Sequence, residues 1–297
     1  MRIGTNEFDL LRTQIYKLCG LRIPDGKEYL IEHRLAPLLH ESGCSSWMEF
    51  YELLCRPNVA FRDEVVSAIS TNETSFFRDS HPFVFIRDNL LPGLVRERKA
   101  GRKIRIWCAA SSTGQEPYSL SMLIHEFCSG LSRSNVSPTD FSILATDISG
   151  RVLDQAQTGV FSRLELSRGL PSGYTRYFER HDRNWKVNAD VRSLVSFRKF
   201  NLLNSFGPLG KFDFVMCRNV LIYFDDQTKV DIVHRIHELL PDKGYLMLGA
   251  TETLAGHTDR FAAERSGPII LYRKGVGGTT GLKRSEDSLK NKKAFSS

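Results

Sequence analysis

The stretch KIRIWCAASSTGQEPYSLSMLI, residues 103–124, carries the strongest fold signal in the chain. Its first part, Lys103 to Ala110, has the apolar pattern of a buried β-strand and ends in small residues. A loop of small and polar residues follows at 111–115, and Pro117 is tolerated because it falls in the first turn of a helix. The stretch therefore predicts a strand, a tight loop and a helix in succession.

The same alternation of strands and helices continues toward the C-terminus. We expect a helix capped by Ser149, and a later helix that begins at Asp225 or Asp226 and stops before Pro241. Strands that alternate with helices indicate a doubly wound α/β domain. Residues 160–193 are irregular and rich in aromatic and basic side chains, so we interpret them as an insertion. The further predicted strands are 141–147, 194–200, 212–217, 245–248 and 269–273.

Residues 5–70 have a different pattern. Apolar residues recur there at helical spacing in four segments, and Ser46 is a suitable N-cap for the third of them. We therefore expect a helical N-terminal domain over residues 1–72, followed by the α/β domain over residues 73–274.

Composition places the chain among ordinary globular proteins. Its 297 residues suffice for one large or two ordinary domains, and they are 41% hydrophobic and 25% charged. No apolar run approaches the ~20 residues that span a membrane, and the N-terminus lacks the apolar region of a secretory signal. We expect a cytoplasmic protein that does not insert into membranes.

The net charge of +7 suits an acidic partner. Residues 275–297 hold five Lys and Arg against two Asp and Glu, so this Gly/Ser/Lys-rich segment alone contributes +3. We predict a disordered basic tail there. The six cysteines form no CxxC pair, so we expect reduced core thiols and no metal site.

The residues that follow the predicted strands form the candidate site, because ligands of open α/β sheets bind beyond the carboxyl ends of the strands. The chain has no GxGxxG and no GxxxxGK[ST], so a phosphate cradle is poorly supported. Several such strand ends together predict a nucleoside-type ligand, and two carboxylates suit a cationic ligand without phosphate. S-adenosylmethionine therefore fits better than NAD or ATP. The strand-end residues are Glu116, Asp147, Asn201, Leu202, Arg218 and Asn219.

Asp147 has two interpretations that the sequence leaves open. Its carboxylate can accept both hydroxyls of a ribose, or it can cap the helix that starts near Ile148.

A second unusual stretch is NETSFFRD, residues 72–79. Phe76 and Phe77 stand there among six residues that can hydrogen-bond or carry charge. This mixture suits a binding site better than a core segment or a solvated loop. The spacing does not say which phenylalanine anchors the segment and which excludes water.

NETSFFRD, AASSTGQEPYSLSMLI, ILATDIS and VMCRNVLIYFD resemble the signatures of the CheR-type methyltransferases, in the same order and within residues 5–273. The resemblance implies a Rossmann-like S-adenosylmethionine-dependent methyltransferase domain, a small all-helical N-terminal domain and a small inserted antiparallel β-subdomain. It also implies an enzyme that methylates glutamate carboxylates of chemotaxis receptors for sensory adaptation, with the cytoplasmic helical signalling domain of the receptor as partner and S-adenosylhomocysteine as product.

We hypothesise roles for two residues in the methyl transfer. Arg78 would guide the acceptor carboxylate while it also borders the cofactor, and the Tyr223 hydroxyl would orient the same carboxylate unless Tyr223 only packs in the core. A glutamate is ionised at pH 7, so no general base is required. In the family, a basic helix faces the receptor; here that helix reads EHRLAPLLHESG, which leaves Arg34 as the candidate substrate-binding residue. The implied cofactor contacts are Asn72, Thr74, Arg78, Glu116, Asp147, Asn201, Leu202, Arg218 and Asn219.

Two other functions remain as alternatives. A nucleic-acid methyltransferase would suit the positive charge, but the fourth strand is followed by CRNVLIYF without the Pro-Pro-aromatic motif of base methylators. A non-catalytic regulatory module would bind S-adenosylmethionine, S-adenosylhomocysteine or another nucleotide without transferring the methyl group.

Overall fold

The computed structural model describes residues 2–99, 101–130 and 136–275. The predicted tail, except Gly275, lies outside these residues. The helices of the described part are α1 (Thr5–Cys19), α2 (Glu28–Glu41), α3 (Trp47–Cys55), α4 (Val59–Ile69), α5 (His81–Phe85), α6 (Leu91–Glu97), α7 (Gln115–Ser129), α8 (Gly150–Thr158), α9 (Arg163–Ser167), α10 (Ala189–Ser193) and α11 (Asp226–Leu239). The strands are β1 (Ile104–Ala109), β2 (Phe141–Asp147), β3 (Val160–Phe161), β4 (Phe178–His181), β5 (Asn184–Val187), β6 (Val195–Lys199), β7 (Phe214–Cys217), β8 (Tyr245–Leu248), β9 (Phe261–Ser266) and β10 (Ile269–Lys274).

Helices α1 to α4 share a hydrophobic core of their own, which includes Phe8, Leu35 and Phe50. The local sequence explains where these helices begin. The Ser46 hydroxyl accepts a hydrogen bond from the backbone N–H of Glu49 at the start of α3, as predicted. The helices therefore form a packed unit before the first strand of the main sheet.

The main sheet has the order β6-β2-β1-β7-β8-β10-β9. The first five of these strands are parallel, whereas β10 is antiparallel to both β8 and β9. Cys108 of β1 lies between Ala145 of β2 and Met216 of β7. The chain first moves outward from β1 to β2 and β6 and then returns to the other side of β1 at β7. This reversal leaves a crevice at the carboxyl ends of β1 and β7, where ligands of such sheets bind.

A second, antiparallel sheet has the order β3-β5-β4 and lies within the predicted insertion. Its residues Phe161 and Phe178 are buried and belong to the same hydrophobic core as Ile106 of β1. The insertion is thus packed onto the α/β core, and the predicted fold class is confirmed.

Some local predictions need correction. Ser149 precedes α8, but its buried hydroxyl has no hydrogen-bond partner within the described structure. Asp225, rather than Asp226, caps α11 by accepting from the Thr228 N–H at 2.8 Å. Strand β9 and the helices α5 and α6 were not predicted.

The cysteines are free, as expected, but they are not all core residues: Cys19, Cys108 and Cys217 are buried, and Cys55 is exposed. Of the helices in the described part of the chain, none combines the length and apolar character needed to cross a lipid bilayer.

Candidate cofactor pocket and active site

A pocket of about 220 Å³ lies over the carboxyl ends of β1, β2, β6 and β7. One wall comes from the end of α1 and from the segment that joins α4 to α5. The pocket therefore lies between the N-terminal helices and the main sheet. All of the predicted cofactor contacts line it, and so does Tyr223, whereas Arg34 does not: the lining includes Asn72, Thr74, Arg78, Glu116, Asp147, Asn201, Leu202, Arg218, Asn219 and Tyr223.

The loop after β1 is shaped by two left-handed residues, Ala110 at φ 57° and Ser112 at φ 50°. The Ser112 N–H donates to Asp147 Oδ2 at 2.9 Å, and the Ser112 hydroxyl donates to the Asn72 carbonyl at 2.8 Å. One residue of this loop thus joins the end of β2 to the start of NETSFFRD.

Asp147 caps the local backbone and also lines the pocket. Its Oδ1 accepts from the Ser149 N–H at 3.0 Å, while Oδ2 accepts from Ser112. Burial raises the pKa of the Asp147 carboxyl, although these backbone N–H groups oppose the shift. Each carboxylate oxygen can accept more than one hydrogen bond, so the contacts leave capacity for the predicted ribose hydroxyls, a role that stays a prediction.

Arg218 forms the charged centre of the pocket wall. Its side chain is 1% exposed, and it donates to Glu116 Oε2 at 2.8 Å and to Asp79 Oδ2 at 2.7 Å. The same guanidinium donates to the Arg78 carbonyl at 3.1 Å. Burial raises the pKa of the Glu116 carboxyl, and the positive charge of Arg218 opposes the rise. Arg218 therefore holds NETSFFRD against the first turn of α7.

Both phenylalanines of NETSFFRD anchor the segment, in two directions. Phe76 is fully buried and packs edge-on against Phe161 and Phe178 of the inserted sheet, with ring centroids 4.9 and 5.5 Å away. Phe77 packs against Phe83 at 5.1 Å and Tyr174 at 4.3 Å. The segment is therefore fixed to α5 and to the insertion at once.

The backbone of this segment is unusual. Phe77, Asp79 and Ser80 all have positive φ angles, between 48° and 68°. Non-glycine residues adopt this conformation at a cost, and they concentrate at functional sites. Between them, Arg78 lines the pocket and donates to the Glu73 carbonyl at 3.0 Å.

The side-chain amide of Asn201 is already engaged within the fold. Its Nδ2 donates to the Leu18 carbonyl at 2.8 Å, and its Oδ1 accepts from the Leu203 N–H at 2.9 Å. The sequence suggested that this amide could be offered to a base. Since the amide instead joins α1 to the loop after β6, recognition of a base at this position would use the backbone and the apolar side chain of Leu202.

Arg34 of α2 contacts residues 69–71, which lead from α4 to the pocket. It donates to the carbonyls of Ile69 and Ser70 at 2.6 and 2.8 Å and to the Thr71 hydroxyl at 3.0 Å. These bonds hold the residues immediately before Asn72. A substrate-binding role for Arg34 stays a prediction.

Sequence reasoning missed Glu252, whose carboxylate supports the loop after β7 through hydrogen bonds to Asn219, Val220 and Leu221. A signal was present, because Glu252 follows the fifth predicted strand of the sheet within the stretch GATET, residues 249–253.

The pocket suits a polar, cationic ligand. The Ser111 hydroxyl lines it and is a buried group without a hydrogen-bond partner among the described residues, and such groups are normally satisfied by a ligand or water. Glu116 and Asp147 supply the carboxylates, and Leu202 supplies an apolar surface for a base. The residues thus fit S-adenosylmethionine.

Two family models match the chain. The model described as "CheR methyltransferase, SAM binding domain" matches residues 72–269, and "CheR methyltransferase, all-alpha domain" matches residues 6–70. The chain belongs to the CheR methyltransferase family. It is an S-adenosylmethionine-dependent methyltransferase with a SAM-binding domain, as the four motifs predicted.

Relatives of the family match almost end to end. The chemotaxis protein methyltransferase Cher2 of Pseudomonas putida is 41% identical over 278 residues, which are 92% of this chain and 99% of the relative. Chemotaxis protein methyltransferase 1 of Pseudomonas aeruginosa is 41% identical over 92% of this chain and 99% of its own length. Chemotaxis protein methyltransferase 1 of Vibrio cholerae is 42% identical over 86% of this chain and 92% of its own length.

Proposed function

We propose that this CheR-family enzyme transfers the methyl group of S-adenosylmethionine to glutamate side chains of methyl-accepting chemotaxis receptors, forming glutamate methyl esters for sensory adaptation. The observation that carries the proposal is that one pocket gathers the strand-end residues, Arg78 and Tyr223. The names of the relatives, all chemotaxis protein methyltransferases, support the biological setting.

Arg78 supports a carboxylate as the acceptor group. It lines the pocket, is half-buried and forms no ion pair with any carboxylate of the described residues; its donated bond goes to the backbone carbonyl of Glu73. A guanidinium with donors to spare recognises a carboxylate well. We infer that Arg78 guides the glutamate and that the hydroxyl of Tyr223 orients it.

The chemistry requires alignment rather than proton transfer. A glutamate carboxylate is ionised near pH 7, so the enzyme needs no general base. When bound, S-adenosylmethionine supplies a sulfonium methyl group that a carboxylate oxygen can displace in line, which leaves S-adenosylhomocysteine. The protein's contribution would be to position the carboxylate and to exclude water. The anchored rings of Phe76 and Phe77 hold the segment that performs both tasks.

We propose that Asn72, Thr74 and Arg78 contact the methionine end of the cofactor and that Asp147 contacts its ribose. Glu116 and Arg218 would form the charged wall between them, and the loop residues Asn201, Leu202 and Asn219 would complete the site. No metal is required by this chemistry. Within the described residues, His, Cys, Asp and Glu side chains do not cluster in groups of three that could hold a metal ion.

The partner that we propose is the cytoplasmic helical signalling domain of a receptor, with Arg34 on the helical face that meets it. The division into a recognition domain at 1–72, a catalytic domain at 73–274 with its insertion at 160–193, and a basic tail follows from the same proposal. A cytoplasmic location without nucleic-acid binding or membrane insertion is consistent with this partner.

The test is transfer of labelled methyl from S-adenosylmethionine to a panel of purified receptor signalling domains. We expect label on at least one receptor that is released by base, as methyl esters are. Calorimetry with S-adenosylhomocysteine runs in parallel. Binding without base-labile methyl on any receptor would favour the non-catalytic module, and methylated nucleotides from an RNA or DNA substrate would favour the nucleic-acid alternative.

A further inference from the structure

The carboxylate of Glu252 is a shared acceptor for two loops. Its Oε2 accepts from the N–H groups of Gly249 and Asn219, both at 2.7 Å. Its Oε1 accepts from the N–H groups of Val220 at 3.0 Å and Leu221 at 2.7 Å. Glu252 is only 9% exposed. The loop after β8 therefore holds the loop after β7 through one buried carboxylate.

The symmetry of these contacts requires a carboxylate. Each oxygen receives two backbone N–H donors. A glutamine at position 252 would place its NH₂ group against one pair of donors in either orientation, because an amide nitrogen cannot accept. An aspartate would be one methylene too short to reach both loops. Backbone N–H groups left without an acceptor in a buried site are costly.

Gly249 allows the Glu252 carboxylate to approach Asn219 closely, because glycine has no Cβ atom. A Cβ atom at this position would lie 2.7 Å from Glu252 Oε2, 2.8 Å from Asn219 Nδ2 and 2.9 Å from the Asn219 backbone nitrogen. Asn219 itself has a positive φ of 57°, a conformation that persists in a non-glycine residue when its surroundings fix it. Glu252 and Gly249 together provide that constraint.

The loop that Glu252 holds serves both halves of the pocket. Asn219 lies at its start among the proposed cofactor contacts, and Tyr223 lies at its end, where the acceptor carboxylate would enter. We propose that Glu252 is a positioning residue that sets the cofactor site and the acceptor site together through the backbone of residues 219–221. The acceptor half of this inference rests on the proposed function.

Two substitutions test this role by opposite routes. Glu252→Gln removes the second acceptor, whereas Gly249→Ala keeps the carboxylate and introduces a methyl group between it and Asn219. We expect both to raise the Kd for S-adenosylhomocysteine about tenfold and to lower kcat at saturating substrates about tenfold. Glu252→Asp should not restore either value. The matched control is Glu264→Gln in β9, a partly exposed carboxylate that lines neither pocket loop; it should leave both constants unchanged.

The measurements separate positioning from stability. Calorimetry and initial rates of methyl transfer at saturating substrates are measured at a temperature at which circular dichroism shows each variant folded. A folded variant that binds and turns over like the wild type, with only a lower Tm, overturns the proposal. Failure of all three variants to fold also counts against it, since the contact would then serve the whole fold. If the wild type binds S-adenosylhomocysteine but methylates no receptor, the proposed function fails while the binding measurement still tests Glu252.

Discussion

Arg218 and Glu116 form a buried ion pair in the pocket wall, with Nη1 and Oε2 separated by 2.8 Å and the arginine side chain 1% exposed. The other terminal nitrogen of Arg218 is 2.7 Å from Asp79 Oδ2. A planar guanidinium can serve two carboxylates at fixed angles, which an ammonium cannot reproduce. Arg218 therefore connects the end of β7, α7 and NETSFFRD, three parts of the chain that line the pocket.

Removing Arg218 should destabilise the fold strongly. Arg218→Leu leaves Glu116 buried without its cation, so the free energy of unfolding should fall by about 3–5 kcal/mol. Arg102→Leu is the control, because Arg102 pairs with Asp213 but its side chain is 45% exposed; it should cost about 1 kcal/mol or less. Urea unfolding measures both variants. Equal losses would contradict a special role for the buried pair.

Binding of S-adenosylmethionine should weaken on acidification. Burial raises the pKa of Glu116, so the folded protein takes up this proton at a higher pH than the unfolded chain. The ionised carboxylate, which would attract the sulfonium, is lost as pH falls through that raised pKa. Affinity should therefore fall as the pH is lowered through that raised pKa, by no more than about tenfold per pH unit for one proton. Calorimetry of the wild type and Glu116→Gln measures the slopes, and the variant should have the smaller one.

The effect on stability has the opposite sign. Because the folded pKa of Glu116 lies above its unfolded value, ionisation of Glu116 disfavours the folded state as the pH rises from the unfolded pKa through the folded pKa.

The binding experiment has a ligand control. S-adenosylhomocysteine, which lacks the sulfonium charge, should show a weaker pH dependence of binding than S-adenosylmethionine. A slope that is unchanged in Glu116→Gln would assign the titration to another group, such as Asp147, whose pKa is also raised by burial.

Arg78→Ala should lower kcat more than it weakens cofactor binding. Loss of the guanidinium leaves the acceptor carboxylate misplaced, which can cost about a hundredfold in rate. Arg78→Lys should recover part of the rate, since it restores the charge without the planar fork. Arg87→Ala is the control, because Arg87 is partly exposed and pairs with its neighbour Asp88. Normal methyl-ester formation by Arg78→Ala would exclude a catalytic role.

Tyr223→Phe distinguishes an orienting hydroxyl from core packing. If the hydroxyl donates to the charged acceptor, its removal should lower kcat about tenfold with little change in Tm. If Tyr223 only packs, the rate should not change. Tyr29→Phe, at a residue that is 58% exposed, controls for loss of a tyrosine hydroxyl. The measurement is turnover of labelled methyl on the best receptor of the panel.

The strand-end residues could be predicted because parallel strands bring their carboxyl ends to one edge. The positions of Glu116, Asp147 and Arg218 at this edge can be predicted without knowing any long-range contact. Their hydrogen-bond partners cannot: Arg218 donates to Asp79, which lies 139 positions earlier in the chain. The sequence pattern gives the position of a residue in an element, but it does not give the residue that packs against it from another part of the fold.

The same limit applies to strand β9 and to the contacts of Asn201 and Arg34. Strand β9 reads FAAERS and pairs only with β10 at the edge of the sheet, so it lacks the apolar run of a central strand. The sequence does not reveal that the Asn201 amide donates to the Leu18 carbonyl, or that the Arg34 guanidinium donates to the carbonyls of Ile69 and Ser70. The ligand and partner roles of these two residues stay predictions.

Gly169 of the insertion packs closely against the backbone of NETSFFRD. It has φ 101°, and a Cβ atom there would lie 2.2 Å from the Phe76 carbonyl oxygen. Gly169→Ala must therefore displace the backbone two residues from Arg78. We expect a loss of about 1–3 kcal/mol in the free energy of unfolding.

The displacement should also lower kcat, because a small shift of Arg78 misaligns the acceptor. Gly173→Ala is the matched control in the same insertion, since a Cβ atom there would meet nothing within 4 Å; its effect should stay within about 0.5 kcal/mol. Urea unfolding and methyl transfer are measured for both variants. Similar effects of the two substitutions would mean that position 169 is no more sensitive than position 173, and that its contact with Phe76 does not hold the active-site segment in place.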